Sequence, residues 1–224
     1  MRFLLALFTL LLAPLAVAHN IAEGDTAFVL GQDGAAVVPF IYLGAKHMVT
    51  GYDHLLFLAG VIFFLYRPLH VVQYVTLFAV GHSLTLLLGV LADIRINAYL
   101  VDTLIGLSVV YKALENMGAL ESLGRFRPDT RMAVFAFGLC HGFGLATSLQ
   151  ELALSADGLL VNLLSFNLGV EIGQLLALTA LLLAFNLWRL HDSFQRQAFT
   201  ANAVIMAGGF LAMAWQISAW LTGS

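Results

Sequence analysis

Charge is what this chain has least of. Only 10% of its 224 residues are Asp, Glu, Lys or Arg, against about a quarter in a soluble domain. So little charge cannot cover a water-facing surface, which excludes an ordinary soluble domain. The formal net charge of −3 comes without a basic stripe, so nucleic acid is not an expected partner. The single cysteine, Cys140, excludes an intrachain disulfide and every CxxC metal or redox motif. A GxxxxGK[ST] nucleotide loop and a GxSxG nucleophile elbow are also missing. What is there is apolar length: 61% of residues are hydrophobic, and apolar runs recur to the C-terminus. The composition is that of an all-α polytopic membrane protein, whose chemistry must come from polar groups placed within the bilayer.

The N-terminus has its own pattern. MRFLLALFTLLLAPLAVA, residues 1–18, joins Arg2 to a short apolar core, a break at Pro14 and Ala-Val-Ala before His19. That is the build of a cleaved signal peptide, with a retained first helix as the alternative. Residues 19–36 form a short exposed segment, and whether its leading His19 meets metal stays open. Residues 37–224 are then one domain of six transmembrane helices, near 38–66, 70–92, 97–119, 131–153, 158–189 and 199–221. Each run is close to or above the ~20 residues that cross hydrocarbon. Short loops predict consecutive helices as antiparallel neighbours in a compact bundle. Arg67, Arg125, Arg127, Arg131, Arg189 and Arg196 fall at one end, while Arg95 stands with Asp93, Glu151 and Asp157 at the other. Cytoplasmic loops attract Lys and Arg, so both mature termini are expected on the periplasmic side of a bacterial inner membrane. A homo-oligomer is left open.

Polar residues inside the spans cost about 2.5–3.5 kcal/mol each on insertion scales when charged, so each asks for a reason. His47 and His54, in HMVTGYDH, are two helical turns apart on one face of a continuous helix, with Asp53 about 100° around from His54. The second span offers His82 and Ser83, the fourth His141 within FGLCHGFGLA. In the fifth, Asn167, Glu171 and Gln174 make one polar stripe. GLCHG and GVEIG are small-xxx-small patterns that let helices approach closely, and each brackets a polar residue. Reckoned by depth, His47 and Asp102 form an outer vestibule. His54, His82, His141 and Glu171 make a midplane cluster, and Glu115 with Asn116 an inner step beside Lys112. Structural readings remain for each alone: a hydrogen-bonding histidine, an Asn/Gln ladder, a Lys112–Glu115 pair.

Imidazole with carboxylate suits a divalent transition metal, whereas Mg or Ca prefers all-oxygen sites. His47, Asp53, His54, His82, His141 and Glu171 are the candidate ligands. Asp102, Glu115, Asn116, Asn167, Gln174 and Ser83 are path or supporting residues. The expected partners are the lipid bilayer and the metal ion, carried as substrate, with no organic cofactor. The main alternative is a b-type haem electron carrier, since two histidines suffice as axial ligands. An intramembrane hydrolase is weakly supported, because the adjacent His82 and Ser83 point about 100° apart.

At these residues the chain resembles the HupE/UreJ family of membrane proteins. The resemblance rests on H-x5-D-H, here HMVTGYDH, with GYDHLLF, GHSLTL, the EN of ALENMG, FGLCHGFGLA and FNLGVEIGQ. These lie in order across about residues 44–180 and look closest to the second subgroup. What the resemblance implies is nickel or cobalt uptake, with His47, Asp53 and His54 as the metal-handling residues. The chain departs from the nickel permeases in HGFGLATS, where Leu145 and Ser148 stand at the places of a second histidine and a glutamate. Glu171 is the carboxylate expected to compensate. The ion expected first is nickel, then cobalt, with zinc and copper as further candidates.

Overall fold

The computed structural model describes residues 34–151 and 157–223. The expected signal peptide and all but the last three residues of the exposed segment lie outside the described residues. Helix α1 spans Val37–Thr50, α2 Tyr52–Ile62, α3 Pro68–Leu91 and α4 Ala98–Asn116. A 3-10 stretch, Ala119–Phe126, leads to α5 (Thr130–Glu151), α6 (Leu159–Arg189) and α7 (Ser193–Thr222). No strand occurs among the described residues.

Four of these helices, α3, α5, α6 and α7, are long and apolar enough to cross a membrane. Their outward faces match that reading: on α6 alone Leu164, Leu168, Leu175, Leu176, Leu183 and Leu187 are exposed. Such a continuous apolar surface belongs in lipid. The remaining two expected spans differ from the rest. Helix α4 has 19 residues but carries Asp102, Lys112 and Glu115.

The first expected span is not one helix. It breaks at Gly51, whose backbone is extended (φ −68°, ψ 101°). The Gly51 N–H closes on the His47 carbonyl at 2.9 Å to end α1, and its own carbonyl receives the Leu55 N–H at 3.1 Å to begin α2. Asp53 then falls in the first turn of α2, where unpaired N–H groups and the positive dipole end favour a carboxylate. Every residue of α2 from Leu56 to Ile62 is buried. Its carbonyl end is capped from afar, by Asn116 Nδ2 on Gly60 O (2.8 Å) and by Arg189 Nη2 on Ile62 O and Phe63 O (both 2.7 Å).

Consecutive helices are not the principal neighbours, contrary to the short-loop expectation. Helix α1 packs chiefly on α6, α3 on α5, and α4 on α7. Glycine decides these pairings, because only a missing side chain lets backbones come so near. A Cβ on Gly169 would lie 2.1 Å from Ile41 O, and one on Gly173 2.6 Å from Ala45 O. On the second pair, a Cβ on Gly138 would meet Phe78 O at 2.4 Å and one on Gly142 His82 O at 2.1 Å. In both pairs the contact register rises together along the two chains, so these helices run parallel. Gly106 and Gly209 face each other across α4 and α7.

Candidate metal centre

Four imidazoles from four helices meet at the Gly51 break. The His54 ring lies 4.8 Å from that of His141 on α5, 5.2 Å from His47 on α1 and 6.0 Å from His82 on α3, centroid to centroid. Counting rise per residue, His82 is about 21 Å from the start of α3 and His141 about 16 Å from the start of α5, near mid-length in both. Asp53, His54 and His141 are 2%, 1% and 0% exposed. One ligand-capable atom from each lies within 4.8 Å of the other two.

The hydrogen bonds set which nitrogen offers its lone pair. Asp53 Oδ1 meets His54 Nδ1 at 3.1 Å, which keeps the proton on Nδ1 and leaves the lone pair on Nε2. Ser108 Oγ donates to the Ile105 carbonyl at 2.6 Å, so toward His141 Nε2, at 3.2 Å, it accepts. The lone pair of His141 therefore sits on Nδ1. His54 and His141 are thus each oriented by an oxygen on one side and have a ligand atom on the other. Phe78 and Phe57 wall the group, their rings 5.0 and 5.5 Å from that of His141. Ser108 was not singled out in the sequence; a serine in an apolar helix is too cheap to signal anything.

The break changes the role expected of His47. In a continuous helix, residues seven apart are separated by about 10 Å along the axis, yet these two rings touch. His47 is folded back onto the group as its half-buried member instead of standing two turns outward. Gly51 makes room for this: a Cβ there would lie 2.8 Å from His54 Nδ1 and 3.1 Å from Asp53 Oδ1. Its φ suits alanine, so Gly51→Ala is expected to spare the fold and push the His54 ring off Asp53. A metal titration of the purified variant should show affinity down by roughly 10–100-fold, the usual cost of losing a supporting partner.

Glu171 is not brought to the histidines. Gly169 and Gly173 face α1, and the residue midway between them lies about 160° around the helix. Glu171 instead lines a groove between α3 and α6, where Ser83 Oγ approaches its Oε1 at 3.5 Å among Val80, Leu84, Leu87 and Leu175. Asn167 Oδ1 is buried and has no hydrogen-bond partner among the described residues. Gln174 Nε2 donates to the Val75 carbonyl at 3.2 Å, and Gln174 shares a pocket wall with His54. Asp102 accepts from Gln216 Nε2 at 3.0 Å across to α7. The expected inner step is a closed lock. Glu115 accepts from Lys112 Nζ at 2.6 Å, from Arg127 Nη2 at 3.3 Å and from Thr130 Oγ1, while Asn116 Nδ2 also bonds Asn202 Oδ1 at 2.9 Å.

A multi-pass helical membrane protein, with a buried His/Asp group at a helix break, is the class that fold and site define. Residues 23–224 match the family model described as HupE / UreJ protein, so the chain belongs to the HupE/UreJ family. That family is linked to nickel and cobalt transport. No curated protein and no solved structure matches the chain.

Proposed function

We propose that this protein is a permease for a divalent transition-metal ion, nickel or cobalt first, with zinc and copper as chemical alternatives. The observation that carries the reading is the break at Gly51. It gathers Asp53, His54 and His141 so that ligand atoms lie within 4.8 Å of one another, with His47 and His82 alongside. Two neutral imidazoles and one carboxylate suit those ions and not Mg or Ca. Discontinuous helices whose ends face a midplane site recur in secondary transporters. The ion would be taken first by half-buried His47 and held by His54 and His141, with Asp53 balancing its charge.

Counting α1 and α2 as one crossing and α4 as another makes six, in agreement with the parallel pairing of α1 with α6 and α3 with α5. The arginine-bearing ends of the helices then face the cytoplasm. With no nucleotide loop in the chain, the driving force is an ion gradient or a second protein. The haem alternative fares worse, since these rings pack against each other and against Phe57 and Phe78, leaving no slot for a macrocycle. Titration of the purified protein with Ni, Co, Zn and Cu tests the reading. One tightly held equivalent is expected, unchanged within about twofold in Glu171→Gln because that side chain lies off the site. No saturable binding of any of the four would sink the proposal.

A further inference from the structure

Two cavities, one against His54 and one at the arginine end of the bundle, share a pair of wall side chains. The pocket against His54 is lined by Phe57, Leu58, Phe78 and Gln174, with Val61 and Tyr74 also in its walls. A second cavity, of about 250 Å³, opens at the arginine end and holds Lys112, Glu115, Arg127 and Thr130. Its walls include the same two side chains, Val61 and Tyr74. On unbroken α2, Val61 lies seven residues beyond His54 and so on the same face, about 10 Å further along. Val61 is buried, and half-buried Tyr74 opposes it from α3.

We propose that Val61 and Tyr74 form the gate through which the ion leaves the histidine pocket for the arginine-end cavity; this rests on the permease reading above. An apolar constriction excludes water, and an ion stripped of water pays its solvation cost there. What lies beyond strengthens the barrier. Two cations, Lys112 and Arg127, share the single carboxylate of Glu115, so a dication arriving there meets net positive charge. The state described is therefore closed on this side, and passage needs Tyr74 to swing away from Val61. The Tyr74 phenol is the one polar group the two side chains present to the ion on its way.

Thiol labelling tests the barrier without reference to any metal. In a Cys140→Ser background, Leu65→Cys lines the cavity and Leu58→Cys lines the pocket. A charged maleimide is expected to modify the second at least about tenfold more slowly. Adding Tyr74→Ala, or separately Val61→Ala, should bring the two rates together. The gate is overturned if Leu58→Cys reacts as fast as Leu65→Cys with both gate residues present. It is equally overturned if neither alanine variant speeds the slow site. Metal accumulation in cells carries the other arm. Uptake altered by Tyr74→Ala supports the gate, whereas a wild type that accumulates no metal overturns the permease reading and leaves the barrier to the labelling result.

Discussion

His54→Ala is expected to abolish metal accumulation in cells and saturable metal binding by the purified protein. His54 is the hub of the group: its ring is within 4.8–6.0 Å of those of His47, His82 and His141, and its Nδ1 holds Asp53. Removing it deletes one ligand atom and takes the Nδ1–H donor from the buried Asp53 carboxylate at the head of α2, and a buried charge is costlier the fewer donors it keeps. The loss should exceed the roughly 10–100-fold that removing a supporting partner brings. Asp53→Asn provides the graded comparison. It keeps the shape and removes the charge, so weakened binding with intact folding is expected. Uptake by His54→Ala equal to wild type, at matched protein level, would refute the role assigned to this residue.

The second large effect is expected from Gly142→Ala. The added methyl would sit 2.1 Å from His82 O and 2.2 Å from Thr85 Oγ1. Backbone cannot step aside as a flexible side chain can, so α3 and α5 must part. Thr85 Oγ1 would lose its 2.7 Å bond to Leu139 O, and His82 and His141 would separate. Overpacking of this kind typically costs about 1–3 kcal/mol, and a backbone obstacle places this case at the upper end. The thermal midpoint in detergent should fall by several degrees and metal binding should fall with it. Gly60→Ala is the control, since its methyl meets side-chain atoms of Lys112 (Cγ at 3.1 Å, Cβ at 3.6 Å) and no backbone of another helix. Equal midpoints for the two variants would contradict the close approach of α3 and α5.

Much of this was legible in the residues. The apolar runs announced six spans, four of which are helices long and apolar enough to cross a membrane, and GLCHG and GVEIG marked the faces where backbones touch. Which helix each face would meet was not legible, because a glycine stripe states closeness and not a partner. The break at Gly51 left a trace: a glycine inside an apolar run, followed two residues later by an acid suited to a helix start. Reading HMVTGYDH as a continuous helix hid it, and so placed His47 too far from His54. Glu171 was misplaced for a reason plain in the spacing. Set midway between Gly169 and Gly173, it had to point away from the very interface those glycines make. His141, next to Gly142, lies on the flank of its own interface and reaches the site. Ser108 and the Lys112–Glu115–Arg127 lock depend on contacts between elements, which no local pattern records.

The capping of α2 has a consequence for how the chain is made. Its last carbonyls are satisfied by Arg189, 127 residues downstream of Ile62, and α1 finds its main partner in α6. The N-terminal third therefore enters the bilayer with exposed polar backbone and a glycine face awaiting its mate. Biogenesis is thus obliged to hold α1 and α2 in reserve until α6 has been synthesised, and a nascent chain arrested before Arg189 should be the form most readily removed by membrane proteases.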